Sequence, residues 1–131
     1  MIGLVVVTHA GVAAELLAAA EMIVGKLELV EVVGIAPDTQ AATVMASIKE
    51  AVGRVSGAGA IIMTDMFGGT PSNMSLSFLE EGRVEVLTGV NLPMLIRFTQ
   101  DRNRLAVGEL ALKLKESGRE GISVAGDYLK R

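Results

Sequence analysis

Three observations predict a doubly wound α/β domain with a mostly parallel sheet and helices on both faces. Short β-branched runs alternate with longer stretches in which apolar residues recur every three or four positions. The segments between them are short. Half of the 131 residues are hydrophobic, yet they are mostly aliphatic, with one Tyr, three Phe and no Trp. Strand–helix alternation of this kind marks βα units stacked in layers, and an aliphatic composition suits helices lying close on a sheet. A chain of this length is expected to be one domain, residues 1–131, able to bury a core without staples.

The elements follow in order. Ile2 to Thr8 reads as strand one. A helix follows, with Val12, Leu16, Leu17, Ala20, Ile23 and Val24 spaced as one buried face, and Gly25 ends it. Leu27 to Ile35 reads as strand two, and Glu28 and Glu31 suit a sheet edge. Pro37 and Asp38 turn the chain into a helix with Val44, Ile48, Val52 and Val55 on one stripe. Ala58 to Thr64, almost wholly apolar, reads as a central strand covered on both faces. Thr70 at the N-cap and Pro71 at the first helical position start a third helix with Met74, Leu76, Phe78 and Leu79. Val84 to Leu87 is strand four. Asn91-Leu92-Pro93 opens the next helix, and Asp101 to Arg104 breaks it. Val107, Leu110, Ala111 and Leu114 share one face of a last helix that ends near Gly118. Gly121 to Ala125 can form one short further strand.

Composition excludes several classes of function. Cysteine is absent, so disulfides and thiolate metal sites are ruled out, and with a single histidine no metal site or cofactor is expected. No apolar stretch approaches the roughly 18 residues of a membrane span, and the apolar start lacks the basic residues of a signal peptide. A cytoplasmic protein with no direct membrane insertion is expected. A net charge of −3, without clustered Lys and Arg, argues against nucleic acid as a partner. Neither a nucleotide P-loop nor a Gly-x-Ser-x-Gly elbow occurs.

The chemistry collects at two strand ends. His9 stands where strand one stops, and Asp65 where strand three stops. Strand order 2-1-3-4 would make these strands neighbours, with the topological switch between them, and His9 would face Asp65 across the crevice. A carboxylate on one ring nitrogen fixes the tautomer, leaves the other nitrogen's lone pair outward, and steadies positive charge developing on the ring. The competing reading is a part-buried histidine bonded to a backbone carbonyl. Gly68-Gly69-Thr70-Pro71 reads either as a phosphate cradle at a helix start or simply as a loop that must turn.

Thr8-His9-Ala10-Gly11, Asp65-Met66-Phe67-Gly68-Gly69-Thr70-Pro71-Ser72-Asn73 and Gly89-Val90-Asn91-Leu92-Pro93-Met94-Leu95 together resemble the IIA domain of the mannose-type sugar phosphotransferase system. The motifs come in the family's order, and the resemblance covers essentially the whole chain. It implies a phosphotransferase in which His9 accepts a phosphoryl group from the phosphocarrier HPr, on Nε2, and passes it to a IIB component. Asp65 would orient the imidazole, Thr70 would stand near the phosphate, and Phe67 would fill an aromatic position beside the site. Asn91, Pro93 and Met94 would border the partner surface; read without the family, they are a helix-opening turn with a packed Met. The resemblance also implies a homodimer that exchanges Gly121–Ala125 as an antiparallel edge strand, against the plainer reading of a strand folded onto its own sheet.

Some relatives carry IIB on the same chain after a linker. This chain ends at Arg131, so a separate IIB component is expected. Three other functions compete with sugar uptake. A regulatory phosphocarrier would control a partner protein without transport. A phosphoryl donor to a dihydroxyacetone kinase would need a different loop after strand three. A flavodoxin-like small-ligand binder would involve no covalent step.

Overall fold

The period-2 alternation of the strands divides their side chains between two separate cores. In the computed structural model, which describes residues 1–129, four strands run parallel in the order β2-β1-β3-β4. They are β1 (Gly3–His9), β2 (Val30–Ile35), β3 (Ala60–Thr64) and β4 (Val84–Thr88). Leu4, Val6, Ile61 and Met63 point to one face, where α1 (Val12–Val24), α4 (Leu92–Asp101) and α5 (Val107–Glu120) cover them. Val5, Val7 and Ile62 point to the other, against Val44, Ile48, Val52 and Val55 of α2 (Ala41–Val55). Met74 of α3 (Thr70–Ser75) and Phe78 of the 3-10 turn Leu76–Phe78 complete that face. The two central strands are therefore buried on both sides, and only His9, at the tip of β1, reaches the surface.

Several element bounds differ from the sequence expectation for local reasons. β2 begins at Val30 rather than Leu27 because Leu29 has φ +52, outside the extended region. The face of α1 that meets the sheet is built on Ala13 and Ala20, while Val12, Ile23 and Val24 are exposed. Small residues let this helix lie close, which rotates its larger apolar side chains to the flank. The third helix is cut short: after Ser75 the chain tightens into the 3-10 turn, leaving Leu76 and Leu79 exposed. Past α4 the expected break is held by a buried arginine. Arg102 donates to the Ile2 carbonyl at 3.0 and 2.7 Å, and its guanidinium stacks on the Phe98 ring at 4.7 Å.

The plainer reading of the tail, a strand folded onto its own sheet, does not hold; the exchanged strand needs a second copy and is not seen in the single chain. Among the described residues the sheet has four strands, all parallel, and Gly121–Ala125 pairs with neither edge. After α5 the chain turns at Gly121, runs irregularly through Ile122–Val124 and enters the short helix α6 (Ala125–Leu129). So short a stretch gains little as an unpaired strand, and the backbone takes local bonds instead, with Asp127 N donating to the Val124 carbonyl at 2.9 Å. Ile122, Val124, Tyr128 and Leu129 are left largely uncovered. No helix among the described residues is long and apolar enough to cross a membrane.

Candidate functional site

Parallel pairing of β1 and β3 in the register Val7↔Thr64 brings the residues just beyond those positions together at the carboxyl ends of the strands. The helices that follow the two strands leave on opposite faces of the sheet, which opens the crevice typical of a topological switch point. His9 and Asp65 meet there. Nδ1 of His9 lies 2.8 Å from Asp65 Oδ2. The same oxygen accepts the His9 backbone N–H at 2.9 Å, and Oδ1 accepts the Met66 N–H at 3.1 Å. Asp65 is thus held on both oxygens, at a position where its side chain keeps 19% of its exposure against 51% for the ring.

Those bonds set the ionisation. Burial pushes the Asp65 carboxyl up, but the His9 backbone N–H, the imidazole hydrogen bond and attraction to the ring together outweigh it and hold the group below the usual carboxylate value. Asp65 is therefore an anion near neutral pH and can only accept. In the neutral ring Nδ1 must then carry the proton, which leaves Nε2 with its lone pair.

The space beside Nε2 belongs to Gly69. A Cβ at that position would lie 2.9 Å from Cε1 and 3.3 Å from Nε2, so only a glycine lets the main chain run this close to the ring edge. Gly68 before it takes φ +91, a left-handed turn that aims the chain into α3. Here the structure corrects a detail. Gly69, in extended conformation, is the N-cap and Thr70 is already the first helical residue, with no side-chain capping bond. Its hydroxyl is exposed rather than tied to the helix start. Phe67 is 71% exposed and Met66 57%, an apolar pair directly after Asp65 that the fold leaves uncovered.

The third motif is arranged differently. The Thr64 carbonyl accepts both Gly89 N–H, at 2.9 Å, and Val90 N–H, at 3.0 Å, which ties the β4–α4 loop to the residue preceding Asp65. Asn91 caps α4, accepting from Met94 N at 3.0 Å, and donates from Nδ2 to the Gly118 carbonyl of α5 at 2.8 Å. Met94 is only 4% exposed and packs in the core among α1, α4 and α5. Pro93 is exposed at the start of α4. Asn91 and Met94 thereby hold α4 to its neighbours.

Two features of the site were not singled out in the sequence. Thr8, fully buried, accepts the Ala13 N–H at 2.8 Å and donates to the His9 carbonyl at 3.1 Å, tying the start of α1 to the residue that carries the imidazole. Ala10 adopts φ +47, uncommon for a residue with a Cβ. A threonine ending an apolar strand just before a helix is a signal for the first. Nothing in the residue type announces the second.

Residues 3–115 match the family model described as PTS system fructose IIA component, where PTS is the phosphotransferase system. The PTS system fructose-specific EIIA component of Bacillus subtilis is 35% identical over 72 residues, 54% of this chain and 49% of that protein. The PTS system mannose-specific EIIAB component of Escherichia coli K12 is 32% identical over 124 residues, 92% of this chain and 38% of that protein. The chain thus spans at most about half the length of these curated relatives. The crystal structure of phosphotransferase system component EIIA from Streptococcus agalactiae superposes with a TM-score of 0.88 at 27% identity, covering 97% of this chain and 99% of that one.

Proposed function

Since this chain belongs to the mannose-type IIA family of the sugar phosphotransferase system, we propose that it is a phosphohistidine carrier, taking a phosphoryl group from phospho-HPr onto His9 Nε2 and passing it to a IIB component. The observation that carries the proposal is the His9–Asp65 pair: Nδ1 is held at 2.8 Å by a carboxylate kept ionised, while Nε2 faces outward beside a glycine.

In the proposed step the Nε2 lone pair attacks phosphorus in line with the donor's phosphorus–nitrogen bond. That bond breaks, and its electron pair returns to the donor imidazole. The Nδ1 proton stays in place, so the ring of His9 becomes cationic and Asp65 balances its charge. Passing the group onward is the same displacement with the roles exchanged. Transfer between two imidazoles requires positioning and charge stabilisation more than covalent help. It also requires the two proteins to touch, which suits an acceptor half exposed at the surface. Main chain around Gly68 to Thr70 and the exposed Thr70 hydroxyl would contact the phosphate oxygens, and Phe67 would meet the docked partner.

We further place the carrier in the cytoplasm as a homodimer in which Gly121–Ala125 extends onto the sheet edge of a second copy. What supports this is the uncovered apolar surface of Ile122, Val124, Tyr128 and Leu129, which one chain alone leaves in water.

The deciding experiment supplies phosphoenolpyruvate, enzyme I and HPr. The protein is expected to gain one acid-labile, alkali-stable phosphoryl group, and His9→Ala none. Undiminished labelling of His9→Ala would remove His9 from the mechanism.

A further inference from the structure

We propose that Gly34, on the neighbouring strand β2, is a positioning residue for His9 that acts through the carbonyl of Ala10; its catalytic meaning rests on the reading of His9 as the phosphoryl acceptor. Ala10 follows His9 directly and stands at φ +47, a conformation that persists in a residue with a Cβ only where the surroundings hold it. Three contacts do so. The Ala10 N–H donates to the Ile35 carbonyl at 2.9 Å, carrying the β1–β2 ladder one residue past His9. The His9 carbonyl accepts from the Thr8 hydroxyl, which is itself bonded to the start of α1. The Ala10 carbonyl then folds back over Gly34, so closely that a Cβ there would lie 2.4 Å from its oxygen.

Gly34 is not among the glycines with positive φ, so its backbone could be adopted by any residue. What the position demands is empty space. Glycine weakens a strand, and inside one it commonly marks the close approach of another backbone. Here that backbone is the turn carrying the imidazole. Because Ala10 O is main chain, a side chain at position 34 cannot be accommodated by a rotamer change.

The consequence runs to the ring. Asp65 stands on the other side, just past the end of β3, and is held by its bonds to His9 N and Met66 N. The imidazole therefore sits between a carboxylate set by β3 and a turn set by β2. Restoring an ordinary contact at position 34 moves the Ala10 carbonyl by about 1 Å, and misplacements of that order cost about 10- to 100-fold in rate where reacting atoms must align.

The chain has one histidine, so imidazole 15N labelling gives a single pair of ring nitrogens. The comparison is wild type, Gly34→Ala, the double variant Ala10→Gly/Gly34→Ala, and the control Gly53→Ala, at an exposed glycine of α2 with open space around it. Gly34→Ala is expected to shift both ring nitrogen signals and to slow uptake from phospho-HPr about 10- to 100-fold. Gly53→Ala is expected to change none of these. In the double variant a glycine at position 10 can turn its carbonyl aside, so the wild-type ring signals should return. If Gly34→Ala does not fold, a folded double variant with wild-type ring signals supports the proposal equally. A folded Gly34→Ala with an unmoved ring overturns it, and so does a double variant that leaves the ring displaced or the chain unfolded. Displaced ring signals in Gly34→Ala, alongside a wild type that takes up no phosphoryl group, would overturn the carrier reading and leave the positioning role standing.

Discussion

Asp65→Asn tests the site at the point where its geometry is most specific. The carboxylate accepts three hydrogen bonds: Oδ2 takes both the His9 N–H and Nδ1, and Oδ1 takes the Met66 N–H. An amide cannot reproduce this pattern. With its oxygen at the Oδ2 position, the NH2 group faces the Met66 N–H, donor against donor. Flipped, the NH2 group faces the His9 N–H and turns Nδ1 into an acceptor, which moves the ring proton to Nε2 and removes the nucleophilic lone pair. In the first orientation the ring keeps its tautomer but loses its ionic partner, a difference of about 1.5–3 kcal/mol for a charged hydrogen bond. That corresponds to roughly 10- to 150-fold in rate. With the ring 51% exposed, solvent screening favours the lower part of that range. The flipped orientation adds the wrong tautomer, which in serine hydrolases brings the loss to about 10⁴. Single-turnover transfer from 32P-labelled phospho-HPr should therefore slow at least about tenfold. The variant should also behave differently in acid. Because the folded-state pKa of Asp65 is depressed, its contribution to stability is fully present above the ordinary carboxylate range and is lost as the pH falls through the folded value. Asp65→Asn should flatten the acid limb of the unfolding profile. A folded variant whose transfer rate stays within about threefold of wild type, under 1 kcal/mol of barrier, would refute the reasoning.

Three further outcomes follow from the same contacts. Gly69→Ala puts a methyl 2.9 Å from Cε1 of His9; because the half-exposed ring can swing aside, the melting temperature should hardly move while single-turnover transfer falls about tenfold or more, and unchanged transfer would mean that Nε2 is approached from elsewhere. Asn91→Ala removes both the cap on α4 and the bond to α5, so urea unfolding should show a loss of about 1–3 kcal/mol with transfer nearly unchanged; a selective loss of transfer would instead place Asn91 at the partner surface. A chain truncated before Gly121 should run as a monomer in light scattering at micromolar concentration while the full-length protein runs as a dimer, and a monomer mass for the full-length protein would end the strand-exchange proposal.

Much of the fold was legible because the signals were periodic and mutually consistent. The stripe Val44, Ile48, Val52, Val55 is buried as spaced, and the apolar run ending at Thr64 is a central strand. The order 2-1-3-4 and the pairing of His9 with Asp65 lend each other support in the sequence, and the sheet has that order. The misreadings lie where hydrophobicity alone was followed. On α1 the stripe includes Ala20 and Leu16, which do meet the core, but also Val12, Ile23 and Val24, which are exposed, and it leaves out the buried Ala13. Burial there is decided by how closely the helix can approach, and small side chains win that contest. The tail is a different case: Ile122 and Val124 have the composition of a strand, and a strand forms only with an edge to pair against, which the single chain does not supply to them. Composition specifies a propensity; whether a second chain supplies that edge is outside what local residues encode.

The site divides along a similar line. Residues whose type carries chemistry, His9 and Asp65, were visible because a lone imidazole and a carboxylate at two strand ends have few other uses in combination. Those that work by shape were harder to see. Gly69 was noticed for its turn, yet its closer relation is to the ring edge, where a Cβ would intrude. Gly34 interrupts the otherwise β-branched end of β2, and its reason lies in a carbonyl on another strand. Asn91 and Met94 belong to a motif whose resemblance implies a partner surface, and their structural work, a bond to α5 and a place in the core, is not announced by residue type. The pattern has a physical cause. On the proposed function, a histidine that exchanges a phosphoryl group with two different proteins needs an open face, so it cannot be enclosed by its own fold. Its pose has to be imposed from behind, by main chain packed against main chain, and such contacts leave only gaps and glycines in the sequence.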